Sequence, residues 1–152
     1  MGRGAGVPSI ERVVLDTNGL ISAAAAPKDR TIAGILTAFR AGDFTPVTSR
    51  RLLDELAGAL NYPRVRQLLN WTDTRRAQFV EDIAGGSLVV EPAVVTGVAI
   101  RDEADLAVIE AAVAGGADCI VTGDKDLLAL GAHAGIEIVT PARFLAMLSE
   151  PA

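Results

Sequence analysis

The sequence predicts a single α/β domain with a five-stranded parallel sheet that is flanked by helices on both faces. Two observations support this fold class: short apolar runs alternate with longer amphipathic segments, and the 152 residues, half of them hydrophobic, suit one compact core. Short runs rich in β-branched residues are typical of strands buried on both faces. Helices between such strands are typical of parallel connections.

The first half of the chain begins with an apolar run that stops at Asp16, where the turn-forming residues 17–19 follow. Farther on, Gly42 ends an amphipathic segment and Ser49 can cap a leucine-rich one. The predicted elements in this half are a strand at 13–15, a helix at 32–39, a strand at 44–48 and a helix at 52–60.

The second half begins where residues 61–63, Asn-Tyr-Pro, interrupt the leucine-rich helix, because the residue before a proline disfavours helical backbone. Helical and strand patterns then alternate to the end of the chain. The predicted elements are helices at 64–70 and 72–85, a strand at 88–90, a helix at 103–114, a strand at 119–121, a helix at 124–130, a strand at 136–139 and a helix at 142–148.

Composition narrows the classes of function. The formal charge is −5 and the isoelectric point is near 4.8, which disfavours a protein that holds nucleic acid on a broad basic surface. The four Phe, one Tyr and one Trp also disfavour an extended base-stacking surface. One Cys excludes a disulfide scaffold. With no membrane-length apolar run and no signal sequence, we expect a cytoplasmic protein whose residues 1–12 form a flexible extension and whose residues 13–149 form the domain.

Acidic residues follow two of the predicted strands. Asp16 ends the first strand, and Asp124 and Asp126 follow the fourth. Each acid alone has an ordinary structural explanation, an Asx turn at Asp16 and a helix N-cap at Asp124. Because the carboxyl ends of parallel strands lie at the same edge of a sheet, where ligands bind in this fold class, we expect these acids to lie close together.

Asp105 is the most informative residue of the helix at 103–114. On the helical wheel it lies within the apolar stripe, whereas Glu103 and Glu110 lie on the opposite face. A carboxylate that faces the core is costly unless it is paired, protonated or bound to a metal, although a helix N-terminus offsets part of the cost. Asp102 is the more natural N-cap of this helix, which leaves Asp105 available for another role.

The pattern does not decide between Asp54 and Glu55, which flank the leucine stripe of their helix at similar angles. A cluster of carboxylates requires a proton or a cation, and a set of oxygen ligands favours Mg²⁺ or Mn²⁺ over Zn²⁺.

Nucleophilic catalysis has little support, since we expect Cys119 to be a core residue and His133 to lie in a surface loop.

Four motifs stand in this order along the chain: Val-Val-Leu-Asp16-Thr17-Asn18, Leu52-Leu53-Asp54-Glu55-Leu56, Arg101-Asp102-Glu103-Ala104-Asp105 and Val121-Thr122-Gly123-Asp124-Lys125-Asp126. Together they resemble a PIN domain, most closely the toxin components of bacterial toxin–antitoxin pairs, over residues 13–148. The resemblance implies a metal-dependent endoribonuclease that binds one or two Mg²⁺ or Mn²⁺ ions, forms a homodimer and pairs with a small antitoxin protein.

The resemblance also assigns roles to individual residues. It chooses Glu55 over Asp54, and it implies that Thr17, Asn18 and Thr122 orient the acids. The catalytic acids are Asp16, Glu55, Asp105 and Asp124, which also bind the metal together with Asp126. The chain departs from the family pattern at Gly19, where a bulky apolar residue is usual, and at Glu103-Ala104, where Pro-Asp is more common.

Several cations are candidates for steering an RNA backbone, although solvated helix faces explain any one of them equally well. They are Arg50, Arg51, Arg64, Arg66, Arg75, Arg76 and Lys125. Two other functions stay open at this point. One is a phosphatase of the haloacid dehalogenase type, in which Asp16 would be a nucleophile, although Asn18 stands where that chemistry needs a second Asp. The other is a PIN-like scaffold that binds RNA or a protein without cleaving it.

Overall fold

The computed structural model describes residues 10–25, 30–98 and 100–149, with side chains from residue 33 onward in the second range. The strands in these ranges are β1 (Arg12–Leu15), β2 (Thr45–Thr48), β3 (Leu88–Val89), β4 (Cys119–Val121), β5 (Ala132–His133) and β6 (Ile136–Val139). The helices are α1 (Thr17–Ala25), α2 (Arg30–Ala41), α3 (Arg50–Leu60), α4 (Pro63–Leu69), α5 (Asp73–Gly85), α6 (Glu103–Gly115), α7 (Lys125–Leu130) and α8 (Pro141–Ser149).

The predicted fold class is confirmed. One sheet has the strand order β3-β2-β1-β4-β6-β5, and the five predicted strands in it are parallel. The structure adds β5, which pairs with β6 in antiparallel orientation. Ala134 and Gly135 connect the two strands with positive φ angles of 52° and 81°, a conformation typical of a tight hairpin. The predicted surface loop around His133 is therefore a hairpin, and the His133 side chain is half-buried.

The interpretation of residues 17–19 as a turn is wrong, because these residues begin α1. Asp16 is the cause: its carboxylate Oδ1 accepts a hydrogen bond from the Gly19 N–H at 2.7 Å, and its carbonyl accepts one from the Leu20 N–H at 3.2 Å. An aspartate before a helix and an aspartate before a turn use the same side-chain acceptor, so the sequence alone does not separate them. Most of the predicted N-terminal extension, residues 1–9, lies outside the described residues.

The sheet is buried between two layers, and alternate strand residues face opposite layers. Val14 and Ile120 pack against α6, whereas Val13 and Cys119 pack with Phe144 of α8. Cys119 is fully buried, as predicted, and burial raises the pKa of its thiol to about 12, which removes it as a nucleophile. Among the described residues, no helix is long and apolar enough to cross a membrane.

The register of β1 and β4 determines where the acidic motifs meet. Leu15 lies beside Val121, and the Asp16 N–H continues the ladder with a hydrogen bond of 3.2 Å to the Val121 carbonyl. The next residues, Asp16 and Thr122, therefore leave the sheet side by side at its carboxyl edge. The sheet thus joins two motifs that are more than a hundred residues apart in the chain.

Candidate metal centre

Asp16 is a buried carboxylate that is held on both oxygens. Its side chain is 8 % exposed; Oδ1 accepts from the Gly19 N–H and Oδ2 accepts from the Thr122 hydroxyl at 2.5 Å. Burial raises the pKa of Asp16 above its usual value, the two hydrogen bonds oppose that rise, and the charge of Asp124 adds to it. Gly19 fits this arrangement, since a Cβ at that position would lie 3.0 Å from Asp16 Oδ1.

Thr122 connects Asp16 to Asp124. Its hydroxyl donates to Asp16, and the same oxygen accepts the Asp124 N–H at 3.0 Å. Asp124 in turn is the N-cap of α7, where its Oδ1 accepts from the N–H groups of Asp126 and Leu127 at 2.8 and 3.2 Å. The predicted N-cap and the predicted functional acid are therefore one residue, with one carboxylate oxygen engaged by the helix.

Three carboxylates meet in front of this hydrogen-bonded pair. One oxygen each from Asp105, Asp124 and Asp126 lies within 4.8 Å of the others, a spacing at which a single cation contacts all three. Asp105 reaches the cluster from the first turn of α6. The N-cap of that helix is Asp102, whose Oδ1 accepts from the N–H groups of Ala104 and Asp105, as its position in the sequence predicts.

The raised pKa of Asp105 reflects the repulsion between the carboxylates of the cluster. Partial burial raises its pKa to about 6, and the charges of Asp124, Asp102, Asp126 and Asp16 contribute to the rise in that order. A divalent cation would relieve this repulsion, because it replaces carboxylate–carboxylate contacts with ion–carboxylate contacts. The residues present thus fit a hard cation with oxygen ligands.

Glu55 lies near the acids, and Asp54 does not. Asp54 is exposed and pairs with Arg50 at 3.2 Å on the outer face of α3. The Glu55 side chain is 31 % exposed and faces a cleft that Asp16 and Asp105 also line. Arg51 pairs with Glu55 at 3.5 Å and with Glu103 at 3.7 Å, so Glu55 approaches the centre with its charge already partly balanced.

Among the described residues, three clefts border the acids and are named after the helices that flank them. The α3 cleft, of about 400 Å³, contains Asp16, Glu55 and Asp105; the α8 cleft, of about 580 Å³, contains Asp16, Asp124 and Asp126; and the α7 cleft, of about 700 Å³, contains Asp105 and Asp126. Each acid except Glu55 and Asp124 borders two clefts. The candidate centre is therefore open to a ligand from several directions.

The residues predicted to orient the acids have different environments. Thr122 hydrogen-bonds directly to Asp16, as described above. Thr17 is half-buried and Asn18 is exposed; Thr17 lines the α3 cleft, and Asn18 lines both the α3 and α8 clefts. Within the described part of the chain, neither side chain hydrogen-bonds to one of the acids, and that these two residues orient the acids stays a prediction.

Most of the candidate steering cations lie away from the clefts. Arg76 is 6 % exposed, donates to the Trp71 carbonyl at 2.6 Å and forms an ion pair with Asp73. This burial and these contacts are typical of a structural cation, and the position of Arg76 in the sequence does not reveal them. The Arg75 guanidinium lies 4.6 Å from the centre of the Trp71 ring. Arg64 and Arg66 are exposed on α4, and Arg50 and Arg51 are paired with acids as described above.

Two polar residues that line the clefts are not predicted as site residues from the sequence. Arg101 lines the α7 cleft, and Tyr62 lines the α3 cleft. Together with Lys125 in the α8 cleft, Arg101 places a positive charge beside the acids on a second side. Arg101 stands within the third acidic motif, so its proximity to Asp105 was a usable signal, but Tyr62 appears in the sequence only as part of a helix break.

Comparison with known proteins agrees with this geometry. The family model described as PIN domain matches residues 12–126, which include all five acids. No curated protein matches the chain. PIN domains are generally nucleases and typically use divalent metals, and the acidic group found here could hold one. The match covers well over half of the chain, and on this basis the protein belongs to the PIN-domain family.

Proposed function

We propose that this protein is a metal-dependent endoribonuclease that hydrolyses RNA phosphodiesters. The observation that carries the proposal is the convergence of Asp105, Asp124 and Asp126 within 4.8 Å, beside the buried Asp16. A purely structural edge of a sheet would be more stable without this repulsion. In this proposal the catalytic acids are Asp16, Glu55, Asp105 and Asp124, and Asp126 completes the metal ligands.

The donor set favours Mg²⁺ or Mn²⁺, because all the ligand atoms are carboxylate oxygens. When bound, one or two such ions would neutralise charge on the phosphoryl oxygens and lower the pKa of the attacking water, for in-line cleavage that leaves a 5′-phosphate and a 3′-hydroxyl. Glu55 is placed to act from the α3 cleft, where Arg51 limits the repulsion that it adds.

The other polar groups position the acids and the substrate. The Thr122 hydroxyl fixes the orientation of Asp16, and the helical N–H groups fix that of Asp124. Lys125 and Arg101 border the α8 and α7 clefts, so each can bind a phosphate on its own side of the cluster. Local cations of this kind allow an acidic protein to accept a polyanion.

For the biological role we propose the toxin of a toxin–antitoxin pair, acting in the cytoplasm as a homodimer that a small antitoxin protein inhibits. This part rests on the resemblance of the four acidic motifs to the toxin components of such pairs. A small protein encoded next to this one that co-purifies with it and abolishes cleavage would support the role. Unchanged cleavage in its presence would count against it.

The direct test is cleavage of a labelled RNA by the purified protein with Mg²⁺ or Mn²⁺. We expect cleavage that EDTA abolishes and that Asp124→Asn lowers by roughly 100- to 1,000-fold, the range typical of losing one charged group that stabilises the transition state. Asparagine still caps α7 through its side-chain oxygen, so this variant should fold. Asp102→Asn is the matched control, because Asp102 caps α6 in the same way without belonging to the carboxylate triad.

Each result separates this proposal from the alternatives. If Asp124→Asn and Asp102→Asn lowered the cleavage rate equally, loss of the metal centre could not explain the effect of Asp124→Asn. Binding of RNA by the wild-type protein without cleavage, in either metal, would favour the scaffold. An acid-stable phosphoryl group trapped on Asp16 during hydrolysis of a phosphomonoester would favour the phosphatase, since the proposed nuclease forms no covalent intermediate.

A further inference from the structure

Tyr62 is an exposed aromatic residue beside the acids. Its side chain is 63 % exposed and lines the α3 cleft together with Asp16, Glu55 and Asp105. A single exposed apolar side chain is common on protein surfaces and needs no explanation by itself. The location of this ring, in the same cleft as three of the proposed catalytic acids, is what distinguishes it.

The hydrophobic core of the described residues does not include the Tyr62 ring. Every other aromatic residue packs into a hydrophobic cluster: Phe44 and Phe144 make an edge-to-face pair, Trp71 and Phe79 lie 5.2 Å apart, and Phe39 packs between two clusters. Tyr62 belongs to none of these clusters. Stability of the described core therefore gives no reason for an aromatic residue at this position.

The backbone nevertheless holds Tyr62 in a defined place. Its N–H donates to the Ala59 carbonyl at 3.1 Å, and its carbonyl accepts from the Arg66 N–H at 2.9 Å. Pro63 begins α4 directly after it, and Val65 and Leu69 of α4 pack on the core. An aromatic side chain with few rotatable bonds on such a fixed turn is a preorganised binding surface.

We propose that Tyr62 stacks on the nucleobase next to the scissile phosphodiester and so positions that nucleotide for cleavage. This inference rests on the proposed nuclease function and assigns a substrate contact to a residue outside the acidic cluster. A base stacked on a protein ring has left the base stack of the RNA, which unpaired nucleotides do readily and paired ones do not. Stacking is also a contact that the negative charge of this cleft does not weaken. The composition disfavours an extended stacking surface, and one ring at the cleft requires none.

The first test measures stacking directly in a cleavage-deficient background. Asp124→Asn protein is titrated with a single-stranded RNA that carries one 2-aminopurine, placed in turn at each position around the mapped cleavage site. We expect quenching at one position, retained with Tyr62→Phe and lost with Tyr62→Ala. Leu68→Ala is the matched control, because Leu68 is also 63 % exposed but is not among the residues that line the three clefts.

The second test uses cleavage rates and includes an arm in which the protein is unchanged, so that arm does not depend on how well a variant folds. Tyr62→Ala should lower kcat/KM on single-stranded RNA by roughly 5- to 150-fold, mainly through KM, since base–aromatic stacking is worth about 1–3 kcal/mol. Removing the base opposite Tyr62 from the RNA should lower the wild-type rate by a similar factor. The two changes together should cause no further loss, because both remove the same contact.

The outcomes separate the two proposals. If Asp124→Asn abolishes cleavage but Tyr62→Ala keeps the quenching and the kcat/KM of the wild type, the stacking inference is wrong and the nuclease stands. Equal rates of wild-type protein on paired and unpaired RNA would also overturn the inference. If the wild-type protein neither binds nor cleaves RNA with Mg²⁺ or Mn²⁺, both proposals fail.

Discussion

The carboxyl edge of the sheet gathers charges of the same sign, whereas arginines of α3 and α5 lie beside charges of the opposite sign. At the edge, four acids from three separate segments meet at close range: Asp16, Asp105, Asp124 and Asp126. Arg50 and Arg76 instead pair within about one turn of their own helices, Arg50 with Asp54 and Arg76 with Asp73. Local opposite charges stabilise a surface modestly, whereas gathered like charges destabilise it. Gathered charges therefore indicate a ligand, and locally paired ones indicate structure.

Among changes that leave every carboxylate in place, Thr122→Val should affect the acidic edge most. The variant keeps the shape of the side chain but removes the donor to Asp16 and the acceptor for the Asp124 N–H. We expect kcat to fall by about 10- to 100-fold, the usual effect of removing a group that orients a metal ligand. The pKa of Asp16 should rise further, because the Thr122 hydrogen bond now opposes that rise.

A conservative variant separates positioning from general damage. Thr122→Ser keeps the hydroxyl and should keep most of the activity. Steady-state kinetics with pH profiles of kcat measure both effects, and the acidic limb for Thr122→Val should move to higher pH. Equal activity of the valine and serine variants would show that the hydroxyl does not act through Asp16.

Variants of the α5 arginines test whether the locally paired charges are structural, because they should change the stability of the protein rather than its activity. Arg76→Met removes a buried donor to the Trp71 carbonyl and the ion pair with Asp73. We expect a loss of about 1–3 kcal/mol in the free energy of unfolding, because the partly buried Trp71 carbonyl loses this partner. Arg75→Ala should cost less, about 1 kcal/mol or below, since it removes one exposed cation–π contact with Trp71.

Denaturant unfolding followed by the fluorescence of Trp71 gives both free energies. The kcat/KM of folded Arg76→Met should stay within about 2-fold of the wild type if the residue is structural. A large loss of RNA affinity at unchanged stability would return Arg76 to the RNA-steering residues. Such a result would also mean that local pairing does not identify structural charges in this domain.

The comparison also explains what the sequence could predict. Periodicity identified the five parallel strands, and the wheel position of Asp105 in α6 drew attention to the acid whose pKa is most clearly affected by its neighbours. Periodicity is a local property of the sequence, and the wheel position of Asp105 follows from which face of α6 is buried. The helix α1 was missed, since a capping Asp16 and a turn-forming one have the same sequence signature.

The sequence could not predict features that depend on tertiary position. Buried Arg76 has the same sequence character as exposed Arg75, and only the structure shows its contact with the Trp71 carbonyl. Tyr62 was assigned only to a helix break, because nothing local places its ring in the cleft of Asp16. The structure separates Asp54 from Glu55, which the helical wheel could not, through the ion pair of Asp54 with Arg50 on the outer face.

The smallest expected effect concerns the repulsion itself, in the metal-free protein. The pKa of Asp105 is about 6 in the folded state against 3.8 for the unperturbed group, so between pH 4 and 6 the folded protein holds a proton that the unfolded chain has released. Stability should therefore fall as the pH rises through this window and level off above it. We expect a fall of about 1 kcal/mol, less than the full shift implies, because Asp105 is only partly buried.

Asp105→Asn is the informative variant, because it removes the titrating group and much of the repulsion. With EDTA present, its unfolding free energy should change less between pH 4 and 7 than that of the wild type, and it should be the more stable protein at pH 7. Excess Mn²⁺ should reverse that order, since the ion stabilises the protein that binds it more tightly. A wild-type protein that becomes more stable as the pH rises from 4 to 6 without metal would contradict the idea that gathered acids are under repulsion at this edge.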